Sequence, residues 1–182
     1  LDPAHATLTP CGAAEVPGGS QGPRHMKFSS DGKFAYVLNE LSLSIASYSV
    51  NIGNAQLEYI DTQSVFTNGI APEGMSCAEI RIHPSEQWLY ASIRDLAGQG
   101  RDVLSTFQRA VDGSIKLIAN TPAAVYIPRN FNIDPSGKWL IVGGQRSSTL
   151  AIFSIHQDTG ALTLKSADIP FEGQPMCVEF LQ

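Results

Sequence analysis

One unit recurs three times along this chain, and a repeat limits the available folds more than any single residue can. Phe28-Ser-Ser-Asp-Gly-Lys-Phe-Ala-Tyr-Val37, Ile82-His-Pro-Ser-Glu-Gln-Trp-Leu-Tyr-Ala91 and Ile133-Asp-Pro-Ser-Gly-Lys-Trp-Leu-Ile-Val142 share an apolar anchor, a polar turn and a strand-like apolar run. Their first residues lie 54 and then 51 positions apart, and Cys177-Val-Glu-Phe180 opens the unit again 47 positions later. A period near 50 residues, built from short strands and turns, points to a repeat architecture rather than a mixed α/β domain.

The remainder of each unit repeats as well. Beyond the turn an apolar strand reaches a ring at Tyr48, Phe107 and Phe153, followed by a turn containing Gly53, Gly113 or Gly160 and a return strand through Leu57, Ile115 or Leu162. That makes four short strands per unit. Asp-Gly, Ser-Gly and Thr-Gly pairs supply the left-handed backbone that tight reversals need, so the strands read as antiparallel meanders. Four-stranded meanders at this period are the blades of a β-propeller, an all-β fold in which each sheet buries its faces against its neighbours. The expected division is the end of a blade over 1–21, blades over 22–76, 77–126 and 127–172, and the first strand of a closing blade over 173–182. Propellers typically close with about four to eight blades, so this count predicts an incomplete ring. Its uncovered faces and edge strands would favour self-association.

Composition removes several function classes. No apolar run approaches the ~18 residues of a spanning helix, and a formal charge of −5 with a pI near 5.3 lacks the basic patch of a nucleic-acid binder. Cys11, Cys77 and Cys177 fit neither a disulfide framework nor a metal site and read as buried free thiols of a cytoplasmic protein. Gly18-Gly-Ser-Gln-Gly22 precedes a strand pattern rather than a helix, which argues against a phosphate-cradling loop. Asp31, Asp61, Asp134 and Asp158 are tied to turns, so no metal site is expected. No Trp-Asp pair ends a blade, which removes the WD-repeat class.

The meander fixes which residues share a rim. A residue just before the first strand of a unit and one just after the second lie at the same end, namely Arg24 and Glu40, Ala78 and Arg94, and Arg129 and Gln145. Arg24, Glu40, Arg94 and Arg129 are therefore expected at the mouth of the central channel. Three guanidinium groups beside one carboxylate would bind and orient an anionic, oxygen-rich substrate. The same spacing also fits a solvated ion pair between Arg24 and Glu40, with Arg94 and Arg129 lining a wet channel. His25 follows Arg24 and could face the channel or a blade interface. His83 occupies the turn slot of Ser29 and Asp134, where it would bond backbone groups. Trp88 and Trp139 share a column with Phe34, the mark of packing residues between blades.

Over nearly its whole length the chain resembles the C-terminal half of the lactonase-type seven-bladed propellers, which include bacterial 6-phosphogluconolactonase and fungal 3-carboxy-cis,cis-muconate cyclase. The resemblance rests on Gly22-Pro-Arg-His25, Phe28 through Glu40, Ala78-Glu-Ile-Arg-Ile-His-Pro84, Pro128-Arg-Asn-Phe-Asn-Ile-Asp-Pro-Ser-Gly-Lys138 and Pro175-Met-Cys-Val-Glu-Phe180. It implies that Arg24, Glu40 and Arg94 match positions assigned to the active site, with a histidine from an earlier blade that has no counterpart here. It also implies hydrolysis of a sugar lactone such as 6-phosphogluconolactone, with no cofactor or metal, Glu40 or that histidine as base, and Arg24 and Arg94 as anion holders. Arg129 and His25 complete the expected substrate contacts. The alternatives are cyclisation of a carboxy-muconate and a propeller scaffold that binds without turnover.

Overall fold

The computed structural model describes residues 2, 4–7, 12–67 and 73–181. Its strands are β1 (Pro23–Phe28), β2 (Phe34–Asn39), β3 (Ser44–Asn51), β4 (Gln56–Ser64), β5 (Met75–Ile82), β6 (Trp88–Asp95), β7 (Val103–Arg109), β8 (Ile115–Pro122), β9 (Pro128–Ile133), β10 (Trp139–Gly144), β11 (Thr149–Ile155) and β12 (Leu162–Pro170). They form three four-stranded antiparallel sheets in sequential order, β1–β4, β5–β8 and β9–β12. Each sheet is one blade of a partial β-propeller. Among the described residues no helix is long and apolar enough to cross a membrane.

The blades hold together through their faces. One apolar cluster joins Tyr36, Leu38 and Ile45 of the first sheet to Ile80, Leu89 and Phe107 of the second. Another joins Trp88, Tyr90 and Leu104 to Phe131, Leu140 and Phe153 of the third. The aromatic ring expected on every third strand is fully enclosed, since Tyr48, Phe107 and Phe153 are each at most 2% exposed. Fully burying such side chains contributes about 1.5–3 kcal/mol each.

The aromatic column at the start of each second strand interlocks neighbouring blades. An added Cβ on Gly113 would stand 2.1 Å from the Phe34 ring, and one on Gly160 would stand 2.6 Å from the Trp88 ring. Both glycines also have positive φ, so two constraints demand glycine there. Trp139, the third member of the column, is half-exposed because no described blade follows it.

The turn between first and second strands departs from the repeat at one position. Gly32 and Gly137 adopt φ +70° and +72°, and the matching residue of the middle blade, Glu86, holds φ +62°. A left-handed backbone costs a non-glycine residue roughly 1 kcal/mol. Glu86 is retained by contacts: its Oε1 accepts the Ser30 amide at 3.1 Å, and Oε2 lies 3.3 Å from Arg109 Nη1. The outer turn at Gly53 also differs, because Ala55 rather than Gly53 carries the positive φ.

The chain ends differ from the expected blade pieces. Over 1–21 the described residues contain only an isolated bridge, Asp2 to Thr7, and Cys11 lies outside the described residues. Glu15 nevertheless covers the first sheet, where its carbonyl accepts the Tyr48 hydroxyl at 3.1 Å. Residues 173–182 are expected as the first strand of a closing blade, and their described part, 173–181, forms no ladder; a ladder requires a hydrogen-bonded partner strand. They attach to β9 by side chains instead, with the Val178 amide donating to Asn130 Oδ1 at 2.9 Å and Asn132 Nδ2 donating to the Val178 carbonyl at 3.1 Å. Cys77 is a buried free thiol, as read from the sequence, but Cys177 is exposed. The missing ladder leaves its side chain uncovered.

Candidate active site at the blade rim

The inner strands share an irregularity that aims the rim residues. Arg24 sits between the Pro23–Asn39 and His25–Leu38 pairs without a partner, and Arg129 sits likewise between Pro128–Gly144 and Asn130–Gly143. In β5 the break falls between Cys77 and Ile80 and leaves Ala78 and Glu79 unpaired. Such bulges turn a side chain away from the pleat. One bulge therefore recurs in the same column of all three inner strands.

From this base Arg24 crosses to the next blade. Its Nε donates to the Ala78 carbonyl at 2.9 Å, and its Nη1 lies 3.4 Å from Glu40 Oε2. Glu40 follows β2, pinned by its amide donating to the Gly22 carbonyl at 2.7 Å, while its own carbonyl accepts the Cys77 amide at 3.2 Å. Its Oε1 accepts the Ser76 hydroxyl at 3.0 Å and a short bond from Arg94 Nη2. Arg94 Nη2 also reaches Ser76 Oγ at 2.7 Å and the Cys77 carbonyl at 3.1 Å. The structure thus brings Arg24, Glu40 and Arg94 together across two blades.

The electrostatics follow from this crowding. Burial raises the Glu40 pKa, but hydrogen bonds from Ser76 and Arg94 together with the Arg24 charge outweigh it and hold the carboxyl below its ordinary value. Burial acts on Arg94 in the direction of neutrality, and its pKa is lowered despite Glu40, with the charges of Arg24 and Arg129 adding to the effect. Arg94 is only 6% exposed, and its Nε has no hydrogen-bond partner among the described residues. Glu40 and Arg24 keep partial solvent access.

Arg129 joins the group as a charge felt by Arg94, and among the described residues it makes no ion pair. His25 points elsewhere. Its Nδ1 meets Glu79 Oε1 at 2.9 Å, placing it in the blade interface, one of the two positions its spacing allows. The Glu79 carboxylate, 3% exposed, also accepts the Ile80 amide at 2.9 Å and Asn130 Nδ2 at 2.5 Å, with Arg81 at 3.6 Å and Lys27 at 3.9 Å. His83 bonds its turn as expected, accepting the Ser85 amide at Nδ1, and its Nε2 meets the Gly137 carbonyl at 2.7 Å.

Sequence reasoning missed Ser76 and Glu79. Ser76 has no counterpart in the repeat pattern. Glu79 did leave a signal, since His25, Glu79 and Asn130 stand at the same 54- and 51-residue spacings as the rest of the unit.

A cleft of ≈ 330 Å³ opens beside Arg94, lined also by Leu96, Ile127, Gln145, Arg146 and Gln174. Another, of ≈ 300 Å³, contains Asp102, Tyr126, Ser147 and Asp168 and touches neither Glu40 nor Arg94. Its charged groups are carboxylates, so an anion would be repelled there.

Comparison with known proteins agrees with this architecture. The family described as "Lactonase, 7-bladed beta-propeller" matches residues 1–180. The 6-phosphogluconolactonase of Pectobacterium carotovorum is 36% identical over 141 residues, covering 78% of this chain and 41% of that protein. That of Formosa agariphila is 36% identical over 157 residues, covering 86% of this chain and 42% of that protein. The chain thus spans about two fifths of the length of these curated relatives. A crystal structure from Bacteroides fragilis superposes with a TM-score of 0.78 at 30% identity, over 90% of this chain and 43% of that one. One from Lactobacillus plantarum gives 0.81 at 26% identity, over 90% and 46%. With three consecutive meander blades and a family match running almost end to end, the chain belongs to the lactonase family of seven-bladed β-propellers.

Proposed function

We propose that Arg24, Glu40 and Arg94 form part of a lactone-hydrolysing centre, acting on a sugar lactone such as 6-phosphogluconolactone. The observation that carries this reading is the clamped carboxylate. Glu40 Oε1 is committed to Ser76 and Arg94, whereas Oε2 has only the long 3.4 Å contact with Arg24. Oε2 is therefore the oxygen free to take a proton from water.

In this mechanism water adds to the lactone carbonyl as Glu40 accepts its proton, and a guanidinium stabilises the oxyanion of the tetrahedral intermediate. Collapse breaks the ring C–O bond, and the proton passes to the departing ring oxygen, giving the open hydroxy acid. A carboxylate held below its usual pKa is a weak base. Orientation of water and stabilisation of the oxyanion must then supply much of the rate, and one such donor is typically worth about 10²–10³ in kcat. Arg24 Nη2 is unspent on protein acceptors among the described residues, which suits it to that task. Arg129 would add positive charge toward the substrate. His25 would act through the blade interface, by setting the bulge that carries Arg24.

The three cysteines, at spacings that fit no disulfide framework, support a reducing, cytoplasmic setting for this reaction. The test is acid release from 6-phosphogluconolactone in a pH-stat, with spontaneous hydrolysis subtracted. Turnover above background that is abolished in Arg24→Ala supports the reading; hydrolysis at the background rate refutes it for this chain.

A further inference from the structure

We propose that the cleft between Arg94 and Arg146 is the subsite for the phosphoryl group of the substrate, and that Arg146 is the residue that selects phosphorylated over unphosphorylated sugar lactones. The inference rests on the lactonase reading for its substrate class and deepens it. It begins from a charge imbalance. Two guanidinium groups, Arg94 and Arg146, line the cleft with two carboxamides, Gln145 and Gln174, and no carboxylate.

Arg94 is already balanced by Glu40 through its Nη2, but its buried Nε lacks any partner among the described residues. An unsatisfied buried donor is costly to keep; the Nε itself is sealed from solvent, so the positive charge it belongs to is what Arg94 offers a ligand in the cleft. Arg146 makes no ion pair or side-chain hydrogen bond among the described residues, while its backbone is fixed by the amide donating to the Tyr126 carbonyl at 3.1 Å. Gln145 is fixed likewise to the Ile127 carbonyl at 2.9 Å, and its Nε2 approaches Gln174 Oε1 at 3.5 Å. The cleft is thus a cationic recess on anchored backbone, with amide donors at its edge.

A phosphate monoester fits this set better than a carboxylate does. It carries about −1.5 to −2 charges and three acceptor oxygens, and a guanidinium fork grips two such oxygens at once. The volume of ≈ 330 Å³ lies at the small end of the range for small-molecule sites, about 300–1,000 Å³. Arg94 links the subsite to the reaction centre, because one residue both borders the cleft and holds Glu40. A lactone whose carbonyl sits at Arg24 and Glu40 would then extend its phosphorylated end past Arg94 to Arg146.

The experiment is calorimetric titration of the protein with 6-phosphogluconate and with gluconate, for the wild type, Arg146→Gln and Arg146→Lys. Arg146 is exposed and packs no core, so both variants should fold. The wild type is expected to prefer 6-phosphogluconate. Arg146→Gln should weaken that ligand at least about tenfold while changing gluconate affinity less than about twofold, and Arg146→Lys should recover part of the loss. Equal effects on both ligands, no effect of Arg146→Gln, or a wild type that does not prefer 6-phosphogluconate would each overturn the proposal. Because binding is read without turnover, a protein that shows this preference yet hydrolyses nothing supports the subsite and counts only against the hydrolytic reading.

Discussion

Substituting Glu79→Gln tests whether the propeller is held at its inner edge by one buried carboxylate. Glu79 gathers His25 from the preceding blade and Asn130 from the following one, at 2.9 and 2.5 Å, and accepts its neighbour's amide at 2.9 Å. Glutamine preserves the volume but offers one acceptor instead of two, and its NH₂ group must then face the Asn130 NH₂ and the Arg81 guanidinium. Hydrogen bonds to a charged group contribute about 1.5–3 kcal/mol each, and breaking a buried ionic network typically costs about 3–5 kcal/mol. We expect a loss of about 3–4 kcal/mol from a total stability on the order of 5–15 kcal/mol. With a urea m-value of about 2 kcal/mol/M, the midpoint should fall by about 1.5–2 M. Glu179→Gln is the matched control, because Glu179 pairs with the same Arg81 at 2.9 Å but is 60% exposed. That change should cost under about 1 kcal/mol. Equal costs for the two variants would refute the claim that burial makes Glu79 the structural lock.

Other consequences are open to direct measurement. Gly113→Ala should cost about 2–4 kcal/mol, combining the left-handed backbone with displacement of the Phe34 ring, and a urea midpoint within about 0.3 M of wild type would contradict the interlock. Hydrogen bonds from Arg101, opposed by burial and aided by the Arg101 and Gln99 amides, hold the Asp95 carboxyl well below the usual aspartate range. Its folded pKa lies below the unfolded one, so its stabilising contribution is complete above the unfolded value of about 3.9 and disappears as pH falls through the folded value. Asp95→Asn should therefore cost about 1–3 kcal/mol at pH 7, with the gap to wild type closing only in strong acid; a gap independent of pH would argue against the linkage. Peptide mapping after brief alkylation should label Cys177 in the native protein and Cys77 only after unfolding, since burial both covers the Cys77 thiol and raises its pKa.

The blades were legible because their determinants are local and repeated. Turn glycines, the Phe34, Trp88 and Trp139 column and the buried Tyr48, Phe107 and Phe153 ring each recur at the blade period, so pattern alone places them. The meeting of Arg24, Glu40 and Arg94 was legible to the same degree, because strand direction decides which rim a residue occupies. Its detailed bonding was not. Ser76 stands directly opposite Arg94 in the regular part of the β5–β6 ladder, while the Ala78 carbonyl that receives Arg24 lies in the register break beside it, and a bulge depends on packing between two strands rather than on residue type. Glu79 escaped notice because a carboxylate in an inner strand reads as solvated until its partners from both flanking blades are seen. The strand expected over 173–182 is without a ladder in its described part for a comparable reason. The apolar pattern of Pro175 through Phe180 is that of an inner strand, but a strand exists only when its ladder is filled.

The most direct test of the proposed lactonase site compares wild type with Glu40→Gln in initial-rate hydrolysis of 6-phosphogluconolactone, alongside calorimetric binding of 6-phosphogluconate. If Glu40 takes the proton from water, kcat should fall about 10²–10⁴-fold while the product still binds within a few-fold of wild type. The acid limb of the wild-type pH–rate profile should then lie below the ordinary glutamate range, as the depressed Glu40 pKa requires. An unchanged kcat in Glu40→Gln would contradict the account at its centre.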